Sequence, residues 1–183
     1  MAVARSSLDA LDRVVPLSST YPCLSRTQQA VLECVAAVRN LRDEEDVQCL
    51  LFLADEFALL QSNPFYFSAQ GMDEAQRPCS LVLRDTLVRL LDCGLIRWDN
   101  GHLQAYISIV PLVAPGMLRT TISWLAALSS IERSALAQAA LTLRAQGISA
   151  RAPAAEGFFR PALSQLLGTD AAEALVRRLF TVR

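Results

Sequence analysis

Three sets of residues carry the chemistry open to this chain: an adjacent acid pair, Asp55 and Glu56; a single histidine, His102; and five cysteines, Cys23, Cys34, Cys49, Cys79 and Cys93. Two carboxylates share a proton or a metal only when both point to one place, and neighbours on a helix point about 100° apart. Asp55 and Glu56 are therefore expected on a wet or partner-facing surface, because an acid tuned for catalysis needs burial and a charged partner. His102 follows Gly101 in a turn signal and is expected at a solvated hairpin tip. A nucleophile would need that imidazole beside it and an acid to orient it, and no cysteine stands in a motif of that kind. The thiols also lack paired ligand spacing, which with one histidine argues against a metal. Cys34, Cys49 and Cys93 fall on apolar helical faces, where a free thiol acts as a small hydrophobe. The seven glycines never cluster, so no phosphate loop or dinucleotide fingerprint is present. The sequence predicts no catalytic residue, no metal, no cofactor and no enzyme.

The length of 183 residues suits one domain, or a domain with a small appendage. Apolar residues make up 52% and charged residues 19%, and the mean hydropathy is +0.30. Such a balance implies a large core or apolar surface kept for a partner. The longest uncharged apolar run, 103–118, is broken by Pro111, Pro115 and Gly116, and a spanning helix needs roughly 20 apolar residues. The first residues carry Asp9 and Asp12 and no apolar signal core. The expectation is a cytoplasmic protein with no membrane contact. All 17 basic residues are arginine, and the net charge is −1. Neither half of the chain has the dense basic face that phosphate binding needs.

The elements that must position these residues are mostly helices. Ser25-Arg26-Thr27-Gln28 is a capping box, followed by an apolar stripe at Val31, Cys34, Val35 and Val38. A second helix opens on the acids 43–46, which suit the positive end of a helix dipole, and ends before Asn63-Pro64. It is apolar over most of its circumference and is expected to be the central buried helix. Residues 65–71, Phe-Tyr-Phe-Ser-Ala-Gln-Gly, predict a short aromatic strand. A third helix runs from about Ser80 to the C-terminal glycine Gly94. Leu83, Leu87, Leu90 and Leu91 form its inner face; Arg84, Asp85, Arg89 and Asp92 form its outer face. Asp99-Asn100-Gly101 between two β-prone runs signals a hairpin. Beyond it the pattern is helical: 116–128, a capped helix from Ser129 to Gly147, a linker over 148–157, a short helix opened by Pro161, and a last helix 170–180 capped by Thr169. The fold class expected is α+β and mostly helical: a winged-helix-like core with a β-hairpin wing and a C-terminal helical extension. The expected organisation is an N-terminal arm over 1–24, the core over 25–113, and a helical region over 114–183 that packs on it.

Val47-Gln48-Cys49-Leu50, then the aromatic run at 65–71, then Pro78-Cys79-Ser80 and the exit Gly94-Leu95-Ile96, resemble the YwgA-like and Panacea-domain proteins of bacteria. The resemblance covers roughly residues 25–145, with Cys49 where the family pattern has lysine and Arg77 where it has glycine. It implies a winged-helix-like fold, no catalysis, and an antitoxin-like role in direct contact with a partner protein.

Two surfaces follow. A protein-contact role, as an antitoxin-like or accessory subunit beside a toxin, an ATPase or a nuclease, points to Phe65, Tyr66, Phe67 and Trp98. A DNA-binding role, through helix 80–93 and a wing at 99–102, points to Arg84, Arg89, Arg97 and His102. Asp85 and Asp92 share the outer face with those arginines and weaken the field on phosphates. Nucleic-acid contact is accordingly the lesser expectation, and a homodimer is compatible with either.

Overall fold

The computed structural model describes residues 24–38, 40–58, 67, 77–105 and 124–181. The fold is mostly helical with one small antiparallel sheet, an α+β arrangement as expected. The described elements run α1 (Arg26–Ala37), α2 (Glu44–Ala58), α3 (Leu81–Asp92), β1 (Ile96–Asp99), β2 (His102–Ala105), α4 (Ser130–Ala145), α5 (Ala155–Leu167) and α6 (Thr169–Thr181). The aromatic strand expected at 65–71 lies outside the described residues except for Phe67, which is in neither a helix nor a strand. Phe65 and Tyr66 lie outside them, as do the first 23 residues and most of the segment 116–128.

Local chemistry fixes the helix ends. The Ser25 hydroxyl accepts from the Gln28 amide at 3.2 Å, and the Ser25 amide donates back to Gln28 Oε1 at 2.8 Å. Ser129 and Glu132 repeat that reciprocal pair at the start of α4. At the end of α3, Gly94 takes φ 67°, and the Leu95 amide donates to the Leu90 carbonyl at 3.0 Å. This closes the left-handed C-terminal turn that glycine permits. The hairpin pairs Ile96 with Ala105, Arg97 with Gln104, Trp98 with Leu103 and Asp99 with His102. Its two loop residues, Asn100 and Gly101, both have positive φ, at 50° and 77°, the geometry that matches strand twist in a tight hairpin.

α2 is the central helix, and Val47 and the whole run 49–54 are buried. α1 packs against its flank and against α3 and β2, while α4 covers another side and carries α5, which carries α6. One continuous core joins the elements before and after residue 113. Phe52 meets Phe67 edge-on at 5.4 Å, and Phe159 lies 6.2 Å from both Phe57 and Phe180. The hairpin hangs from the turn between α1 and α2, where the Leu103 amide donates to the Leu41 carbonyl at 2.9 Å.

The C-terminal half departs from expectation at Pro161. It lies inside α5, which begins six residues earlier, within the stretch read as a linker. Ala155, Phe159 and Leu163 recur every fourth residue and are all buried. Burying that stripe, with a large aromatic in it, offsets the one backbone bond the proline removes.

Candidate functional site

The outer side of α3 exposes apolar and charged side chains together, and the adjoining hairpin exposes Trp98. Ser80 starts it: its hydroxyl accepts from the Leu83 amide at 3.1 Å. Leu83, Thr86, Leu87 and Leu90 turn inward. Helical spacing then sends Leu81, Asp85, Val88 and Asp92 outward in one ridge, flanked by Arg84 and Arg89. Leu81 is 74% exposed, Val88 50%, and Trp98 on β1 44%. Within the hairpin, the register puts Ile96, Trp98, Leu103 and Ala105 on one face, and Arg97, Asp99, His102 and Gln104 on the other. Trp98 is thus the rim residue of the core-facing side, and Arg97 and His102 share the opposite side.

The arginines expected to meet DNA each have an acid. Arg84 Nε donates to Glu44 Oε1 at 2.8 Å, and this hydrogen bond and the attached charge hold the guanidinium above its ordinary value. Arg89 pairs with Asp85 at 2.9 Å one turn back, and Arg97 stands 4.0 Å from Asp99. Arg77, ahead of α3, pairs with Glu45. His102 is half-buried rather than wet, and its Nδ1 is enclosed without a hydrogen-bond partner. His102 is the first residue of β2, paired with Asp99, and not a loop residue. Phe67 is 2% exposed and packs on Phe52, so its ring belongs to the core and offers no contact surface.

The carboxylate pair corrects the sequence reading most. Asp55 and Glu56 side chains are 8% and 12% exposed, and Arg144 from α4 reaches both. Arg144 Nη1 lies 3.8 Å from Asp55 Oδ2 and 3.0 Å from Glu56 Oε1. The guanidinium also lies over the Phe52 ring at 5.7 Å. Burial pushes both carboxyl groups above their ordinary values, and the attraction of Arg144 offsets only part of that. The two acids flank one arginine, so helical divergence did not leave them in water. Among the described residues, no group of three or more His, Cys, Asp or Glu could hold a metal ion.

Two polar clasps were not visible as sites in the sequence. Asp46, expected only to complement the α2 dipole, is buried and takes a two-pronged bond from Arg133: Nε to Oδ1 at 2.8 Å and Nη2 to Oδ2 at 2.7 Å. Arg133 is 0% exposed, and its Nη1 donates to the Leu128 carbonyl at 2.7 Å. The signal was present: Arg133 stands where the stripe of Leu136, Ala137 and Ala140 puts an apolar residue. Gln48 and Ser80 form the other clasp, the Ser80 amide donating to Gln48 Oε1 at 3.0 Å and Gln48 Nε2 to the Ser80 carbonyl at 3.2 Å.

Of the cysteines, Cys34 and Cys49 are buried, Cys79 is half-buried and Cys93 is exposed. Cys93 was expected on an apolar face; as the capping residue of α3 it turns to solvent instead. Among the described residues, no helix is long and apolar enough to cross a membrane. No protein-family model, curated protein or solved structure matches the chain.

Proposed function

We propose that the chain is a non-catalytic protein-interaction module of the bacterial cytoplasm, an antitoxin-like or accessory subunit of a multi-protein defence or genome-maintenance system. The observation that carries this reading is the face of α3 and β1. Leu81 and Val88 are exposed there beside Arg84 and Arg89, which already have acid partners, and Trp98 is exposed on β1. Exposed apolar groups set in balanced charge suit a protein surface. Phosphate binding draws its affinity from uncompensated cations, so compensation at Arg84, Arg89 and Arg97 favours a protein over DNA. The resemblance to antitoxin-like bacterial proteins supports the same role.

The test is a photo-crosslinking residue placed at Val88 or Trp98 in the native host, followed by reconstitution of the captured pair from purified proteins. A stoichiometric complex weakened by Val88→Asp is the expected result. A chain that instead binds duplex DNA, with affinity falling steeply as salt rises and lost on Arg84→Ala with Arg89→Ala, overturns the reading.

A further inference from the structure

Strand β1 has an open edge, and we infer that it pairs antiparallel with β1 of a second copy of this chain, about a two-fold axis at Trp98. The hairpin fixes which main-chain groups face outward. Asn100 and Gly101 form a two-residue loop with positive φ at both positions. The flanking pair, Asp99 and His102, is then the hydrogen-bonded one, and pairs with and without mutual bonds alternate from there. Trp98 and Leu103 are a pair of the second kind, so each turns its amide and carbonyl away from the other strand. On β2 the outward amide is used: Leu103 donates to the Leu41 carbonyl at 2.9 Å. On β1 the sheet ends, and the outward amide and carbonyl of Trp98 have no partner among the described residues. An unpaired strand edge is a template for another strand.

The side chains name the occupant. Antiparallel strands related by a two-fold axis at Trp98 set Trp98 opposite Trp98, and the residue before it opposite the residue after it. Each Arg97 therefore faces Asp99 of the other copy, while the Trp98 amides and carbonyls exchange bonds at the axis. Arg97 and Asp99 share one face of β1 and lie 4.0 Å apart within a copy. Pairing places both copies' charges at the corners of a quadrilateral in which sign alternates, and no pair within a copy has to break. Opposite charges on directly facing residues stabilise a strand pair, and like charges oppose it. On the other face the two indoles, each on a residue 44% exposed, come together across the axis. Sliding one strand by two residues centres the axis on Arg97 and sets arginine against arginine, which supplies the selectivity. Pairing through one four-residue strand belongs with small interfaces, below about 1,200 Å², so the dimer is concentration-dependent.

Sedimentation velocity over a concentration series tests it on the full chain. The wild type is expected to shift from monomer to dimer. Arg97→Asp and Asp99→Arg are each expected to remain monomeric, the first with acids at every corner and the second with arginines. Mixing the two variants in equal amounts is expected to restore dimers, since every facing pair then joins opposite charges. That recovery also shows that each variant is folded. A wild type that stays monomeric throughout, either variant dimerising as the wild type does, or a mixture no more associated than its separate components overturns the inference. The strand pairing uses the β1 edge and not the α3 ridge. A monomeric wild type that still forms a Val88-dependent complex with a different protein therefore removes the pairing alone and leaves the functional reading in place.

Discussion

Gln48 and Ser80 face each other like residues of adjacent strands: the glutamine amide donates to and accepts from the serine main chain at 3.2 and 3.0 Å, across 32 positions of sequence. The side chain of α2 thereby satisfies the Ser80 amide at the entry to α3, which would otherwise be buried without a partner, and adds a second donor to a carbonyl that already accepts from the Arg84 amide at 3.1 Å. Gln48→Leu keeps the volume and removes both bonds. Its expected cost is about 1–3 kcal/mol, the penalty for one buried donor, the Ser80 amide, left without a partner. For a chain of this size that lowers the melting temperature by about 2–4 °C per kcal/mol, and thermal unfolding followed by circular dichroism measures it. A melting temperature equal to the wild type would mean that water replaces the clasp.

Arg133 answers Asp46 with two bonds inside the core. Removing one member of such a pair strands a buried charge and costs about 3–5 kcal/mol, whereas exchanging both for apolar residues is often neutral. Arg133→Met is therefore expected to be the most destabilising substitution described, and Arg133→Met with Asp46→Leu to recover most of the loss. Urea denaturation of the two variants checks the pattern. Additive losses in the double variant would show that the two residues act independently.

Burial raises the pKa of Asp55 and of Glu56. The folded state then keeps protons at a pH where the unfolded chain has released them. The unfolded state binds fewer protons in that window, so stability falls as pH rises from about 4, the ordinary carboxylate value, through the raised values. Asp55→Asn with Glu56→Gln is expected to flatten that decline, so the melting temperature of the variant relative to wild type climbs with pH. Differential scanning fluorimetry across the acid-to-neutral range reads the difference. A relative melting temperature that falls with pH would mean that attraction to Arg144 outweighs burial.

Thiol reactivity should separate the cysteines. Burial, with Glu33 nearby, pushes the Cys34 thiol far above its ordinary value, and the thiolate is the reactive form. Brief alkylation of the native protein, mapped by peptide mass spectrometry, is expected to label Cys93 and to spare Cys34 and Cys49 until the chain is unfolded. Early labelling of Cys34 would indicate opening of α1 from the core.

The capped helix starts, the hairpin and the buried circumference of α2 were legible because each rests on local chemistry: a hydroxyl three residues before an acceptor, an Asn-Gly turn, an unbroken apolar run. α5 was misplaced because a proline was read as a start, while the stripe through Phe159 outweighed it. Asp55 and Glu56 were read as wet, and Asp46 only as a dipole partner, because the arginines that meet them lie at positions 144 and 133. Periodicity reports which side of a helix is apolar; it does not report a charge arriving from a helix nearly ninety residues away.

The bond between Asp46 and Arg133 also decides where the chain can be cut. A fragment ending after the hairpin would keep α1, α2, α3 and the hairpin, yet lose the counter-ion of Asp46 and bare to water the apolar side of α2 that α4 covers. Such a piece is expected to be less stable than the whole chain. The remainder, from residue 124 on, would be left with an arginine stranded in its own apolar stripe. Separately expressed halves are expected to gain stability when brought together, because α2 and α4 then cover each other's apolar sides.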